Sequence, residues 1–169
     1  IFENLKAIQQ QFHLLIRSVP GNGQLILPED DKALNEVIAQ GCWTPQVRFS
    51  SKQNSKAEIR AGAISADGSK FKITVVDQYQ GTINWNLTGQ HNVYNACAAI
   101  AAARHVGVPA AMAIQGLNEF EGVKRRMERL IDLPRLKLYD DFAHHPTAIQ
   151  TTLEGLRAQV GGATIVALI

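Results

Sequence analysis

Two asparagines open a long alanine-rich segment of the sequence. They lie in the run 89–95 (GQHNVYN), and their spacing places Asn92 and Asn95 on one face of a helix. A carboxamide presents a hydrogen-bond donor beside an acceptor, which suits the N6/N7 edge of adenine. The alternative is structural, with one asparagine capping the helix and the other solvated. The run by itself leaves a nucleotide ligand and a helix cap both open.

Consecutive cations follow a glycine later in the chain. The segment 120–128 (FEGVKRRME) carries Lys124, Arg125 and Arg126 after Gly122. At a junction between domains, a cation of this kind stabilises a phosphoryl group during its transfer. The alternative is a solvated run of charge, with the glycine serving only a turn. Neither interpretation is decided by this segment alone.

Carboxylates and histidines cluster where an apolar run gives way to a helical pattern. In the segment 140–147 (DDFAHHPT), Pro146 suits the first turn of a helix. Ligands of α/β sheets bind at the carboxyl ends of strands, where a carboxylate accepts hydrogen bonds from ribose hydroxyls. Adjacent histidines on an extended backbone point apart, and no third ligand stands at a metal-binding spacing, so no metal site is predicted. Asp140 or His145 acting only as a helix cap is the alternative, and the clustering favours a ligand site.

Helical and strand-like patterns alternate through the first half of the chain. Near-helical apolar spacing predicts a helix between Phe2 and Val19, ended by a turn at 20–23. The next segments are predicted, in order, as a strand, a helix and an extended segment: 24–27, 28–40 and 42–50. Alternating apolar runs then predict an antiparallel meander over 57–65, 70–77 and 81–87. Its turns are expected at Asp67-Gly68 and near Tyr79–Gly81.

The second half changes character after two helices. Those helices are predicted over 91–106 and 110–118. A strand, a helix and a strand follow as a βαβ unit over 136–141, 146–158 and 163–168. The change predicts an incomplete α/β domain over residues 1–122 and the start of a second domain over 123–169. A helical pattern already running at the first residue, and an apolar strand pattern at the last, indicate that both ends are cuts in a longer chain.

Composition and charge exclude several classes of protein. The 169 residues are 46% hydrophobic, enough for one core and part of another. With 17 basic and 15 acidic side chains, the chain lacks the basic footprint that nucleic-acid binding requires. It also lacks the run of about eighteen apolar residues that a membrane helix requires, and the apolar stretch of a signal peptide. Cys42 and Cys97 lie far apart in apolar settings, which favours free thiols in the reducing cytoplasm.

Taken together, the three motifs resemble one family. GxHNxxN, FxGxxRRxE and DDxxHHP, in this order and spacing, are similar to the Mur ligases of bacterial cell-wall assembly. The resemblance covers essentially the whole chain. It implies the later part of a central P-loop-type ATPase domain, with its antiparallel meander, followed by the start of a Rossmann-like C-terminal domain.

The resemblance also implies roles for particular residues. Asn92 and Asn95 match the asparagines that contact adenine in this family, with His91 beside them. Arg126 matches the arginine that contacts the nucleotide phosphates. Asp141 matches the aspartate that holds the ribose. The next histidine of that motif, His144, is expected in the same site.

An ATP-dependent ligation is the activity that the resemblance implies. ATP and Mg²⁺ are the implied cofactors, and a substrate carboxylate becomes an acyl phosphate that a peptide amine attacks. The double-histidine motif is similar to the members that act on UDP-N-acetylmuramate, which add either L-alanine or a whole murein tripeptide. The opening residues 1–23 and Lys124 favour the tripeptide.

One departure from the family pattern limits the activity expected of these residues. The sequence contains no GxxxxGK[ST] loop, and the Mg²⁺ ligands of the family lie upstream of residue 1. The resemblance therefore implies an enzyme as the parent protein and an inactive fragment here. The alternatives are a nucleotide-binding or interaction module that never had such a loop, and a folylpolyglutamate synthetase, which the double-histidine motif does not suit.

Overall fold

The computed structural model describes residues 2–52 and 54–168. Within them it contains helices α1 (Leu5–Ser18), α2 (Lys32–Ala39), α3 (Gln90–His105), α4 (Ala110–Asn118) and α5 (Pro146–Val160). The strands are β1 (Leu25–Pro28), β2 (Gln46–Ser50), β3 (Ile59–Gly62), β4 (Lys70–Val75), β5 (Gln78–Asn84), β6 (Glu128–Leu133) and β7 (Leu136–Asp140). No helix in these ranges is both long and apolar enough to span a bilayer.

A five-stranded sheet forms the larger part of the molecule. Its strand order is β1-β2-β3-β4-β5, with the first three strands parallel and the last three antiparallel. Along β4, buried Phe71, Ile73 and Val75 alternate with more exposed neighbours, because only one face packs against helices. The mixed α/β class and the antiparallel meander predicted from the sequence are confirmed.

The second turn of the meander is not where the sequence placed it. Val76 and Asp77 form a tight turn with φ of 47° and 62°, whereas Tyr79–Gly81 lies inside β5. The register shifts between Ile73 and Thr74, so β5 is bulged at this point. A β-carbon on Gly81 would lie 3.3 Å from Ile114 of α4, so this glycine serves close helix packing rather than the turn.

The alanine-rich helix α3 packs on the sheet and completes the core. Its buried face includes Val93, Ala96, Cys97 and Ile100, and it contacts β1, β2 and β3. Small side chains allow this close approach. Burial raises the pKa of the Cys97 thiol to about 12, so the thiol stays protonated. Both cysteines are free, as the sequence predicted.

The last part of the chain differs from the expected βαβ unit. Strand β7 and helix α5 form as predicted, but β7 pairs antiparallel with β6, a strand that the sequence analysis missed. Residues 164–168 form no strand, and Ile169 lies outside the residues described. A parallel strand requires a neighbouring strand for its backbone hydrogen bonds, and none pairs with this segment in the described part of the chain.

Candidate functional site

The amino end of α3 is shaped by its backbone rather than by a capping side chain. Gly89 is the N-cap, with φ of 91° and no side-chain cap bond. Its amide donates to the Asp67 carbonyl at 2.7 Å. The Asn92 Nδ2 donates to the Thr88 carbonyl at 2.8 Å, and the Asn95 Nδ2 donates to the Asn92 Oδ1 at 3.3 Å. Neither asparagine caps the helix, so the helix-cap interpretation of the motif is wrong.

A cavity of about 620 Å³ lies between α3, α4 and the residues that flank β6 and β7. Five of the residues singled out from the sequence line it: His91, Asn92, Asn95, Arg126 and Asp141. Much of the remaining wall is apolar: Trp85, Leu87, Ala96, Ala99, Leu117, Phe120, Val123 and Met127. Small-molecule sites occupy about 300–1,000 Å³ and combine apolar walls with a few polar groups. This cavity therefore suits an apolar body that carries polar groups.

Asp141 reaches the cavity from the end of β7. Its Oδ2 accepts the Met127 amide at 2.8 Å, and its Oδ1 accepts the Ala143 amide at 2.7 Å. Each oxygen of a carboxylate has a second lone pair, so both remain able to accept from hydroxyl groups of a ligand.

The two neighbouring arginines point to different surroundings. The Arg125 Nε lies 3.3 Å from the Asp140 Oδ2, and its guanidinium stacks 5.2 Å above the Phe142 ring centre. Arg126 lines the cavity, and no carboxylate lies within 4.0 Å of its guanidinium in residues 2–52 and 54–168. Arg125 is nevertheless exposed, so these contacts do not exclude the interpretation of the segment as solvated charge. Arg126 is left as a cation that faces the cavity.

His91 lines the cavity, and its surroundings lower its pKa. Burial lowers its pKa; the negative charge of Asp141 opposes this, and the positive charge of Arg126 adds to it. The imidazole is therefore neutral near pH 7 and can both donate and accept a hydrogen bond.

His144 and His145 lie outside the group that lines the cavity. The His144 Nδ1 is 3.0 Å from the Phe142 carbonyl. The His145 Nδ1 accepts the Thr147 amide at 3.3 Å and caps α5, as the capping alternative proposed for it. In the described ranges, no group of three or more His, Cys, Asp or Glu side chains is arranged to hold a metal ion.

Three glycines that the sequence analysis did not connect meet at the amino end of α3. A β-carbon on Gly68 would lie 3.1 Å from the Gly89 carbonyl oxygen, and one on Gly155 would lie 3.2 Å from the Gly89 Cα. The turn at Gly68 and helix α5 therefore both pack closely against the amino end of α3. The sequence showed these glycines separately, in a predicted turn, in a motif and inside the helix predicted over 146–158, because contacts between distant segments leave no local pattern.

Substituting Gly89 should disturb the cavity beyond its effect on the backbone. A β-carbon there would lie 2.7 Å from the His91 ring, and φ is 91°. We expect Gly89→Ala to displace His91 and lower the free energy of unfolding by about 1–3 kcal/mol. Gly107→Ala is the matched control, since φ is 90° there but nothing lies within 4 Å. Urea unfolding of both variants checks this; an equal loss of stability in the two variants would contradict a contribution from the His91 contact.

Known proteins are similar to the chain in sequence. Residues 1–103 match the family profile described as Mur ligase middle domain. The UDP-N-acetylmuramate–L-alanyl-gamma-D-glutamyl-meso-2,6-diaminoheptandioate ligase of Escherichia coli is 44% identical over 170 residues, covering 100% of this chain and 36% of that protein. The UDP-N-acetylmuramate–L-alanine ligase of Caldicellulosiruptor bescii is 36% identical over 159 residues, covering 92% and 34%.

The fold is also similar to that of a solved structure. A murein peptide ligase from Psychrobacter arcticus superposes with a TM-score of 0.74 at 43% identity, covering 96% of this chain and 34% of that one. The chain therefore spans about a third of the length of the curated relatives and of the solved structure that it matches.

Proposed function

The chain belongs to the Mur ligase family, and from that premise we propose that it is part of an ATP-dependent ligase that joins a peptide to UDP-N-acetylmuramate. The observation that carries the proposal is the convergence of Asn92, Asn95, Arg126 and Asp141 on one cavity. These residues supply a carboxamide pair, a cation and a carboxylate around an apolar volume. An adenine nucleotide offers the matching base edge, phosphates and ribose hydroxyls.

Each cavity residue has a proposed task. Asn92 and Asn95 bind the adenine edge, with His91 as a neutral neighbour. Asp141 accepts hydrogen bonds from the ribose hydroxyls. Arg126 neutralises charge on the phosphate chain. When bound, ATP supplies the phosphoryl group that activates the substrate carboxylate.

The ligands of Mg²⁺ are proposed to belong to another part of the parent protein. No metal-binding cluster is found within the ranges that the structure describes. His144 remains proposed, from the resemblance, as a residue of the nucleotide site beside Asp141, although it is not among the residues that line the cavity.

The peptide substrate is proposed to be a murein tripeptide, L-alanyl-γ-D-glutamyl-meso-diaminopimelate. The support is the E. coli relative named for that substrate, which is 44% identical, against 36% for the L-alanine ligase of C. bescii. Such an enzyme returns recycled peptide to cell-wall assembly. We place it in the cytoplasm.

We also propose a domain boundary between residues 122 and 123. This point lies after the sheet of β1–β5 and helices α3 and α4, and before the β6–β7 hairpin.

Coupling by the full-length ligase tests the proposed function. We expect the protein that contains this chain to join UDP-N-acetylmuramate to the tripeptide with release of ADP and phosphate. Product is measured by mass spectrometry, with L-alanine as the competing substrate. Absence of ATP-dependent product with the tripeptide would refute the peptide assignment, and absence with both substrates would refute the ligase.

The isolated 169-residue chain should behave differently from its parent. We expect no Mg²⁺-dependent ATP hydrolysis and at most weak nucleotide binding. The reason is that a GxxxxGK[ST] loop, whose backbone amides cradle the phosphates, is not encoded in these residues. Phosphate release by the purified chain, compared with the parent at equal concentration, measures this. Reproducible turnover by the chain would show that the phosphate site is misassigned.

A further inference from the structure

The turn that carries Arg126 has an uncommon backbone. Arg125 and Met127, on either side of it, both have left-handed conformations, with φ of 59° and 50°. Residues other than glycine and asparagine rarely adopt this conformation, so neighbouring groups must hold the turn in place. Arg126, the residue between them, lines the cavity, as Met127 does.

Two carboxylates hold the two left-handed residues. The Arg125 amide donates to the Glu128 Oε2 at 2.9 Å, and the Met127 amide donates to the Asp141 Oδ2 at 2.8 Å. The Arg125 carbonyl also accepts the Phe142 amide at 2.8 Å. The turn is therefore fixed to the end of β7 on one side and to the first residue of β6 on the other.

Because the turn is fixed, the two arginine side chains point to different partners. Arg125 is directed to Asp140, and Arg126 is left to line the cavity. Glu128 is not among the residues that line the cavity, so its influence there passes through the backbone. We propose that Glu128 is a positioning residue: by accepting the Arg125 amide, it holds the turn in the shape that presents Arg126 to the nucleotide phosphates. This inference rests on the proposed function.

Kinetics of the full-length ligase distinguish positioning from direct contact. We expect Glu128→Ala to lower kcat about tenfold or more, because a cation displaced by roughly 1 Å loses much of its effect on the transition state. The KM for ATP should change by less than about threefold, since the asparagines and Asp141 still bind the nucleoside. Glu128→Gln should stay close to the unsubstituted enzyme because its amide oxygen still accepts the Arg125 amide. Gln as damaging as Ala, or Ala without effect, would overturn the proposal.

Asp132→Ala is the matched control on the same strand. Asp132 pairs with Arg129 at 2.8 Å on the exposed hairpin and has no contact with the turn, so kcat should be unchanged. Hydrogen exchange of peptides covering 122–128 gives a readout that does not depend on activity. Faster exchange in Glu128→Ala but not in Glu128→Gln would show that Glu128 holds the turn. That result would support the positioning role even if the parent showed no ligation, and only the proposed function would then fail. Unchanged exchange in Glu128→Ala would overturn the positioning role itself.

Discussion

Arg126→Ala is expected to lower kcat of the full-length ligase by about a hundredfold or more while changing the KM for ATP much less. Arg126 faces the cavity with no carboxylate within 4.0 Å in the described part of the chain, so its charge is available to the nucleotide. Negative charge develops on the transferring phosphoryl group, so the cation stabilises the transition state more than bound ATP. Arg126→Lys should restore only part of the rate, because an ammonium lacks the forked donor geometry.

The control for this experiment follows from the structure. Arg125→Ala is a poor control, because it would remove an ion pair with Asp140 and a contact with the Phe142 ring. Lys124 is exposed and precedes the anchored residues, so Lys124→Ala should leave kcat within about twofold. Steady-state kinetics at several ATP concentrations compare the variants. Similar, mild losses in Lys124→Ala and Arg126→Ala would leave Arg126 with no catalytic role.

Asp141→Ala should affect ligand binding and stability together. The carboxylate accepts two backbone amides, at 2.7 Å and 2.8 Å, and faces the cavity. We expect the KM for ATP to rise about tenfold or more, through loss of the ribose contacts, and the free energy of unfolding to fall by about 2 kcal/mol. Asp141→Asn should rescue poorly, since an amide offers one oxygen for two backbone donors.

Asp140→Ala is the companion to that variant. Its ion pair with Arg125 is partly exposed and 3.3 Å long, so we expect a loss below about 1 kcal/mol and little change in the KM for ATP. ATP kinetics and urea unfolding of the three variants provide the measurement. A destabilised Asp141→Ala enzyme whose KM for ATP is unchanged would show that Asp141 only anchors the turn.

Much of the larger unit could be predicted from local pattern alone. Helix α3 was expected over 91–106 and lies at Gln90–His105, because its alanine-rich face and the following Gly107 leave little choice. Strand β6 was missed because its sequence, ERLIDL, continues a charged stretch and both of its faces are largely exposed. Without a buried face, a strand has no alternating pattern to detect.

The candidate site was also predicted only in part from the sequence. The resemblance of the three motifs brought forward six residues; His91, Asn92, Asn95, Arg126 and Asp141 line one cavity, and His144 does not. What the sequence did not show was how the cavity is held together. The meeting of Gly68, Gly89 and Gly155 joins segments far apart in the chain, and the left-handed conformations beside Arg126 depend on carboxylates supplied by other residues. Such features are set by tertiary contacts.

The burial of Cys97 makes the opening of helix α3 measurable by chemical labelling. Its thiol is 0% exposed against the sheet and stays protonated, so it reacts with an alkylating reagent only when α3 separates from the strands beneath it. The same helix carries Asn92 and Asn95. The rate of labelling at this single atom therefore reports how often the cavity wall that carries the two asparagines comes apart, and a ligand that bridges α3 and β7 would slow that rate.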